Sequence, residues 1–134
     1  MDFGFTPEQE ALGQEVRQFI EEHVTPELLE ELEISLEGDR GPHYRELQKK
    51  AAARGWVGIS WPKEYGGSDG GRMNQYIVEE EFARLGLTMG GAGSGAPAIL
   101  AAGTEEQKKY FLPGLISGDI SFALGFTEPQ GGAD

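Results

Sequence analysis

Apolar residues recur at helical spacing along most of the chain, and the period shortens to two only near its end. Leu12, Val16, Phe19 and Ile20 share one face of a helix, the arrangement that sends a single stripe into a core while the remainder stays in water. Thr6-Pro7-Glu8-Gln9 opens that helix: Thr6 can cap it, Pro7 sits where a missing N–H costs nothing, and Gln9 can reach back to the cap. The pattern stops before Pro26. The acidic, leucine-dotted stretch beyond it, ELLEELEISLEGD, fits either a short helix or an exposed excursion.

A second helix is predicted between Pro42 and Arg54, with Tyr44, Leu47 and Ala51 on its apolar face. Lys49, Lys50 and Arg54 lie toward its electronegative end, and Gly55 suits a left-handed cap. A third spans Met73 to Leu85, carries Tyr76, Ile77, Phe82 and Ala83, and stops at Gly86. Between these two, GWVGISWPKEYGG sets Trp56, Trp61 and Tyr65 among glycines and a proline. That composition predicts an irregular segment whose rings form core and domain seam, with direct ligand contact as the alternative. TMGGAGSGAPAILAAG is small and apolar, which predicts a buried, closely packed segment, helical from Pro97 onward. Thr104-Glu105-Glu106-Gln107 is a second capping box, opening a helix that Pro113 distorts and Gly118 ends.

The alternation then begins. Ile120, Phe122, Leu124 and Phe126 interleave with Ser121, Ala123 and Gly125, the two-residue period of a strand. A lone strand after a helical domain leaves its edges unpaired, which implies further sequence or a partner subunit.

Charge narrows the partners. A formal charge of −12 repels phosphate backbones and anionic lipid heads, so neither nucleic acid nor a membrane surface is expected; an anionic coenzyme needs a local nest of N–H groups or a helix terminus. The absence of cysteine excludes disulfides, thiol nucleophiles and thiolate metal sites. No stretch reads as an export signal or a membrane span, so the cytoplasm is the expected compartment.

Among candidate chemical features, Gly90-Gly91-Ala92-Gly93-Ser94-Gly95 follows a helix rather than a strand and has no lysine, so close packing is favoured over phosphate cradling. His23 is expected to interact with a helix C-terminus and His43 to lie at the surface; no metal-ligand spacing is present. Glu79-Glu80-Glu81 is expected to be a solvated helix face. FALGFTEPQGGAD is more informative: a strand delivers Thr127 into a Glu-Pro turn followed by glycines. Exposed N–H groups there suit a polar ring edge or a phosphate, and a plain β-turn fits equally well.

The series FTPEQEAL, RGWVGISWPKEYGG, EEEFARLG, GTEEQKKYFLPGLISGD and GFTEPQGGAD resembles the N-terminal domain of acyl-CoA dehydrogenases over essentially the whole chain. The resemblance implies an all-α, multi-helix domain over residues 1–118, with residues 119–134 giving the first strand and flavin-facing turn of an incomplete middle β domain. It implies FAD as cofactor and an acyl-CoA thioester as substrate. In the implied reaction a glutamate removes the α proton and a hydride passes from Cβ to flavin N5. Electron-transfer flavoprotein is the implied electron acceptor, and a homo- or hetero-oligomer the implied assembly.

By position, Leu124, Phe126 and Thr127 match the flavin-lining strand and turn, with Thr127 donating to the pyrimidine side of the ring. Ala133 stands where the family's cofactor-positioning hydroxyl is found, and Gly131 replaces a commoner alanine. Nothing in residues 1–134 matches the catalytic glutamate, and Glu128 is not assigned that role. Three functional expectations follow: a part of a longer dehydrogenase that is inactive by itself, a non-catalytic subunit completing a partner chain, as in relatives that handle steroid or other bulky acyl groups, or a helical domain with no retained function.

Overall fold

The computed structural model describes residues 4–34, 41–89 and 95–122, together with residues 125, 127, 130 and 131. Among them are six α-helices, α1 (Pro7–His23), α2 (Pro26–Ile34), α3 (Pro42–Ala53), α4 (Gly71–Ala83), α5 (Gly95–Ala102) and α6 (Glu105–Ser117), and one 3-10 turn, Lys63–Tyr65. The helical architecture agrees with the sequence. Of the alternating run, Ile120–Phe122 belong to no strand, while Ala123, Leu124 and Phe126 lie outside the described residues.

Local chemistry sets the helix ends. Both threonine boxes close: Gln9 N–H donates to Thr6 Oγ1 at 3.3 Å and Gln107 N–H to Thr104 Oγ1 at 3.2 Å, and each glutamine oxygen accepts the cap's own N–H at 2.9 Å. As far as Ile34 the acidic stretch resolves in favour of helix, since α2 begins at Pro26 and buries Leu28; residues 35–39 lie outside the described residues. Gly41 gives α3 no side-chain cap. The cap comes from α2 instead, where the Glu31 carboxylate accepts the N–H groups of His43 and Tyr44 at 3.0 and 2.9 Å. A carboxylate at that end satisfies orphan donors and opposes the positive pole of the helix. The last helix, α6, runs through Pro113 and ends at Gly118, whose φ of 78° is left-handed.

Two apolar clusters organise these elements. In the larger, Val16 and Phe19 of α1 meet Leu28, Tyr44, Leu47, Trp56, Val78 and Phe82. Phe19 stands edge-on to Trp56, centroids 5.1 Å apart, and to Phe82 at 6.2 Å, the offset geometry that aromatic quadrupoles favour. The smaller cluster holds Tyr65, Ala96, Leu112 and Leu115. Trp61 packs against both.

Glu81 corrects the expectation of a solvated acidic face. Glu79 and Glu80 are exposed, but Glu81 is 6% exposed. Arg17 of α1 grips it with two parallel hydrogen bonds of 2.8 Å, and Arg84 stands 3.5 Å away. The Arg17 hydrogen bonds hold the Glu81 carboxyl below the ordinary glutamate range, against the opposing effect of burial, with further help from the charges of Arg17 and Arg84. Its lowered pKa makes the ion pair a stabilising contribution above the unfolded-state value, lost as pH falls through the folded one. Glu81→Gln is therefore expected to cost about 1–3 kcal/mol at neutral pH. The gap from wild type should shrink below roughly pH 4, near the free carboxyl's own titration. Melting curves from pH 7 down to pH 3 measure this, and a gap that does not narrow in acid refutes the assignment.

Candidate functional site

On its inner side α4 is pinned to α1; its outer side borders an open cleft of about 690 Å³. Trp61 forms one wall, Arg72, Gln75 and Tyr76 of α4 another, and Pro97 and Leu100 of α5 a third. Helical spacing explains the α4 wall, because Arg72, Tyr76 and Glu79 repeat on the face opposite Ile77 and Val78, which are buried. Gln75 crosses the floor, bonded to Ser60 and donating to Glu79 at 2.7 Å. Arg72 has no ion-pair partner among the described residues. An apolar wall with a single unpaired guanidinium at its rim favours an amphipathic occupant.

Over residues 95–103 this cleft corrects the reading of residues 88–103 as a buried segment; residues 90–94 lie outside the described residues. In α5 only Gly95 and Ala96 are buried; Pro97, Ala98, Ala101 and Ala102 are exposed and Ile99 and Leu100 partly so. The only neighbour packed extensively against α5 among the described residues is α6, so a helix made wholly of apolar and small residues keeps most of its surface in water. Tyr76 is 53% exposed, and Met73 beside it 51%. The aromatic trio divides in the same spirit. Trp56 and Tyr65 are core, whereas half-buried Trp61 serves core and cleft together.

Tyr65 also ties the 3-10 turn to α6. Its hydroxyl donates to the Glu105 carboxylate at 2.9 Å, Lys108 sits 3.3 Å from the same carboxylate, and the bond to Glu105 pushes the phenol up to about 12. The histidines behave as expected: His23 Nδ1 lies 3.0 Å from the Phe19 carbonyl with its ring stacked on Phe19, and His43 is exposed. No group of three or more acidic, histidine or cysteine side chains among the described residues could hold a metal ion. No described helix is long and apolar enough to cross a membrane.

Of the flavin-facing candidates, Thr127 is exposed and outside any regular element, and its hydroxyl makes no hydrogen bond to a described residue. Leu124, Phe126 and Ala133, like Gly90–Ser94 of the glycine run and Glu128, lie outside the described residues. Residues 120–122 are held against α5 and α6. The N–H of Ile120 donates to the Gly114 carbonyl at 3.0 Å, and the Phe122 ring lies against Gly95. Sequence reasoning placed one side of an acyl pocket on the helices around 73–100 but missed the Arg17–Glu81 brace and Arg72, because each depends on which helix lies beside which.

The profile of the family described as acyl-CoA dehydrogenase, N-terminal domain, matches residues 6–119. The chain belongs to this family. Acyl-CoA dehydrogenase FadE26 of Mycobacterium tuberculosis is 40% identical over 141 residues, which cover all of this chain and 34% of that protein. Among solved structures, the ChsE4–ChsE5 complex from M. tuberculosis matches with a TM-score of 0.78 and 39% identity over 98% of this chain and 34% of that one. An acyl-CoA dehydrogenase complexed with FAD from Bacillus anthracis matches with a TM-score of 0.69 and 32% identity over 96% of this chain and 22% of that one. The chain thus spans about a third of the length of the curated relatives it matches.

The exposed wall of this acyl-CoA dehydrogenase domain predicts binding of an amphipathic dye. Anilinonaphthalene sulfonate should brighten with the purified chain, and Leu100→Gln should cut that signal at least about twofold, since it places an amide in the apolar wall. Equal brightening by both proteins would show that the dye sits elsewhere.

Proposed function

We propose that this chain is the helical N-terminal part of an FAD-dependent acyl-CoA dehydrogenase, with residues 1–118 as the helical domain and 119–134 leading into a β domain. The whole protein would catalyse α,β-dehydrogenation of an acyl-CoA thioester. The observation that carries this reading is the family match over residues 6–119, with GFTEPQGGAD beginning at Gly125 shortly after it. FAD, when bound, supplies the hydride acceptor at N5.

The residues of this chain would bind and orient. Thr127, itself exposed, would offer its hydroxyl and backbone N–H as donors suited to the polar edge of the flavin ring. Leu124 and Phe126 would cover the ring from the same segment, and Ala133 would leave the turn without the hydroxyl that family members use there. The wall formed by α4 and α5 would exclude water from one side of the acyl group. No residue of the chain is assigned the catalytic base, so the 134-residue chain by itself would not turn over. Electron-transfer flavoprotein would be the acceptor for the assembled enzyme.

Similarity to a chain of the ChsE4–ChsE5 complex favours a second reading, a non-catalytic subunit that completes the site of an unlike partner. Equilibrium titration of the purified chain with FAD, followed by desalting, separates the two. The first reading expects a saturable but weak change in flavin absorbance, about five- to tenfold weaker in Thr127→Val for one lost hydrogen bond. It also expects flavin lost on desalting and no oxidation of acyl-CoA. Flavin retained in stoichiometric amount favours the subunit. The absence of any saturable change removes the flavin role of this segment.

A further inference from the structure

Two glycines on successive helices receive the side chains of the chain that leaves α6. At Gly95, the first residue of α5, a Cβ would lie 2.5 Å from Phe122 Cδ1 and 2.6 Å from its Cγ. At Gly114, in the last turn of α6, a Cβ would lie 2.5 Å from Ile120 Cδ1 and 3.3 Å from its Cβ. Ile120 packs against the cluster of Tyr65, Ala96, Leu112 and Leu115, while Phe122, 41% exposed, lays its ring against Gly95 at the start of α5. The backbone is held at the same place: Gly118 turns left-handed, Ser117 Oγ donates to Asp119 at 2.7 Å, and Ile120 N–H donates to the Gly114 carbonyl at 3.0 Å. Thr127 follows Phe122 by five residues.

We propose that Gly95 and Gly114 are positioning residues for cofactor binding: two sockets that seat Phe122 and Ile120 and thereby set the path along which Thr127 is delivered. This rests on the reading of Thr127 as a flavin contact. Neither glycine has a positive φ, so alanine is permitted by the backbone at both positions and is the better helix former. A Gly→Ala change therefore leaves the two helices as stable as before or more so, and acts on the seated side chain. At Gly95 the obstruction includes Phe122 Cγ, the root of a rigid ring, so the side chain and its backbone must move together. At Gly114 the nearest atom is the flexible tip of Ile120, so that variant should have the smaller effect.

The chain has no cysteine, which permits clean spin labelling. Gly125 is exposed, with open space for at least 4 Å around the point where a Cβ would stand, and Glu10 is exposed in the first turn of α1. Gly125→Cys with Glu10→Cys, both labelled with a nitroxide, gives one distance distribution by double electron–electron resonance. Gly95→Ala should shift or broaden it, Gly114→Ala should do so less, and Phe122→Ala combined with Gly95→Ala should restore its centre, because the obstructing ring is gone. FAD titration of the unlabelled variants should show affinity reduced at least threefold in Gly95→Ala and recovered in the double variant, with helical content and melting of the helical core unchanged.

An unchanged distance distribution in both alanine variants overturns the proposal whatever the flavin does. A shifted distribution with wild-type FAD affinity also overturns it, since the sockets would then have no role toward the cofactor. A shifted and rescued distribution in a protein whose wild type shows no saturable FAD response sustains the sockets as setting the path and refutes instead the flavin assignment on which their purpose rests.

Discussion

The Glu81 carboxylate lies against α1, gripped on both oxygens by Arg17 and approached by Arg84. A buried carboxylate without such partners would carry a desolvation cost of several kcal/mol, so α1 and α4 are constrained to one register. At Gly13 of α1, Ile77 and Glu81 face across from α4 at ordinary van der Waals distance from where a Cβ would stand. Fixing one side of α4 fixes the other: with Ile77, Val78, Glu81 and Phe82 turned inward, Arg72, Tyr76 and Glu79 must face out. The cleft is a geometric consequence of where α4 is held.

A second constraint works through Trp61, which packs on both apolar clusters and also walls the cleft. The irregular segment around it is tied back on itself, with Asp69 and Gly70 N–H groups donating to the carbonyls of Trp61 and Ile59 at 3.0 and 2.7 Å. The Tyr65–Glu105 bond joins the same segment to α6. Cleft and core therefore share their supports, and a change in Trp61 would be felt in both.

What the sequence disclosed and what it withheld divide along a physical line. Thr6 with Gln9, Thr104 with Gln107, and Gly118 act within a few residues of themselves, so their roles are readable in one dimension. The Glu31 cap of α3 obeys the same electrostatics but reaches across from another helix, and no local pattern announces it. Glu81 is the sharper case. Three consecutive glutamates look alike in sequence, yet a helix places them about 100° apart, and only its neighbour decides which one is buried. For α5 the expectation failed differently. Small apolar residues do imply close packing, but Ala98, Ala101 and Ala102 meet no described neighbour that covers them. In the site, Thr127 lies where a motif could point to it, while Arg72 carried no signal at all.

The same distinction bears on how an acidic chain could receive an anionic cofactor. With a formal charge of −12, long-range attraction works against such a ligand, and physiological salt screens that field beyond about 8 Å. Recognition then depends on short-range donors held in place, as backbone N–H groups and a hydroxyl can be without any cation. Such donors are useful only if they need little reorganisation on binding, because ordering a loose segment consumes the interaction it makes. Under the proposal above, Ile120 and Phe122 held against glycines would direct the chain toward Thr127 through contacts in which van der Waals fit replaces charge.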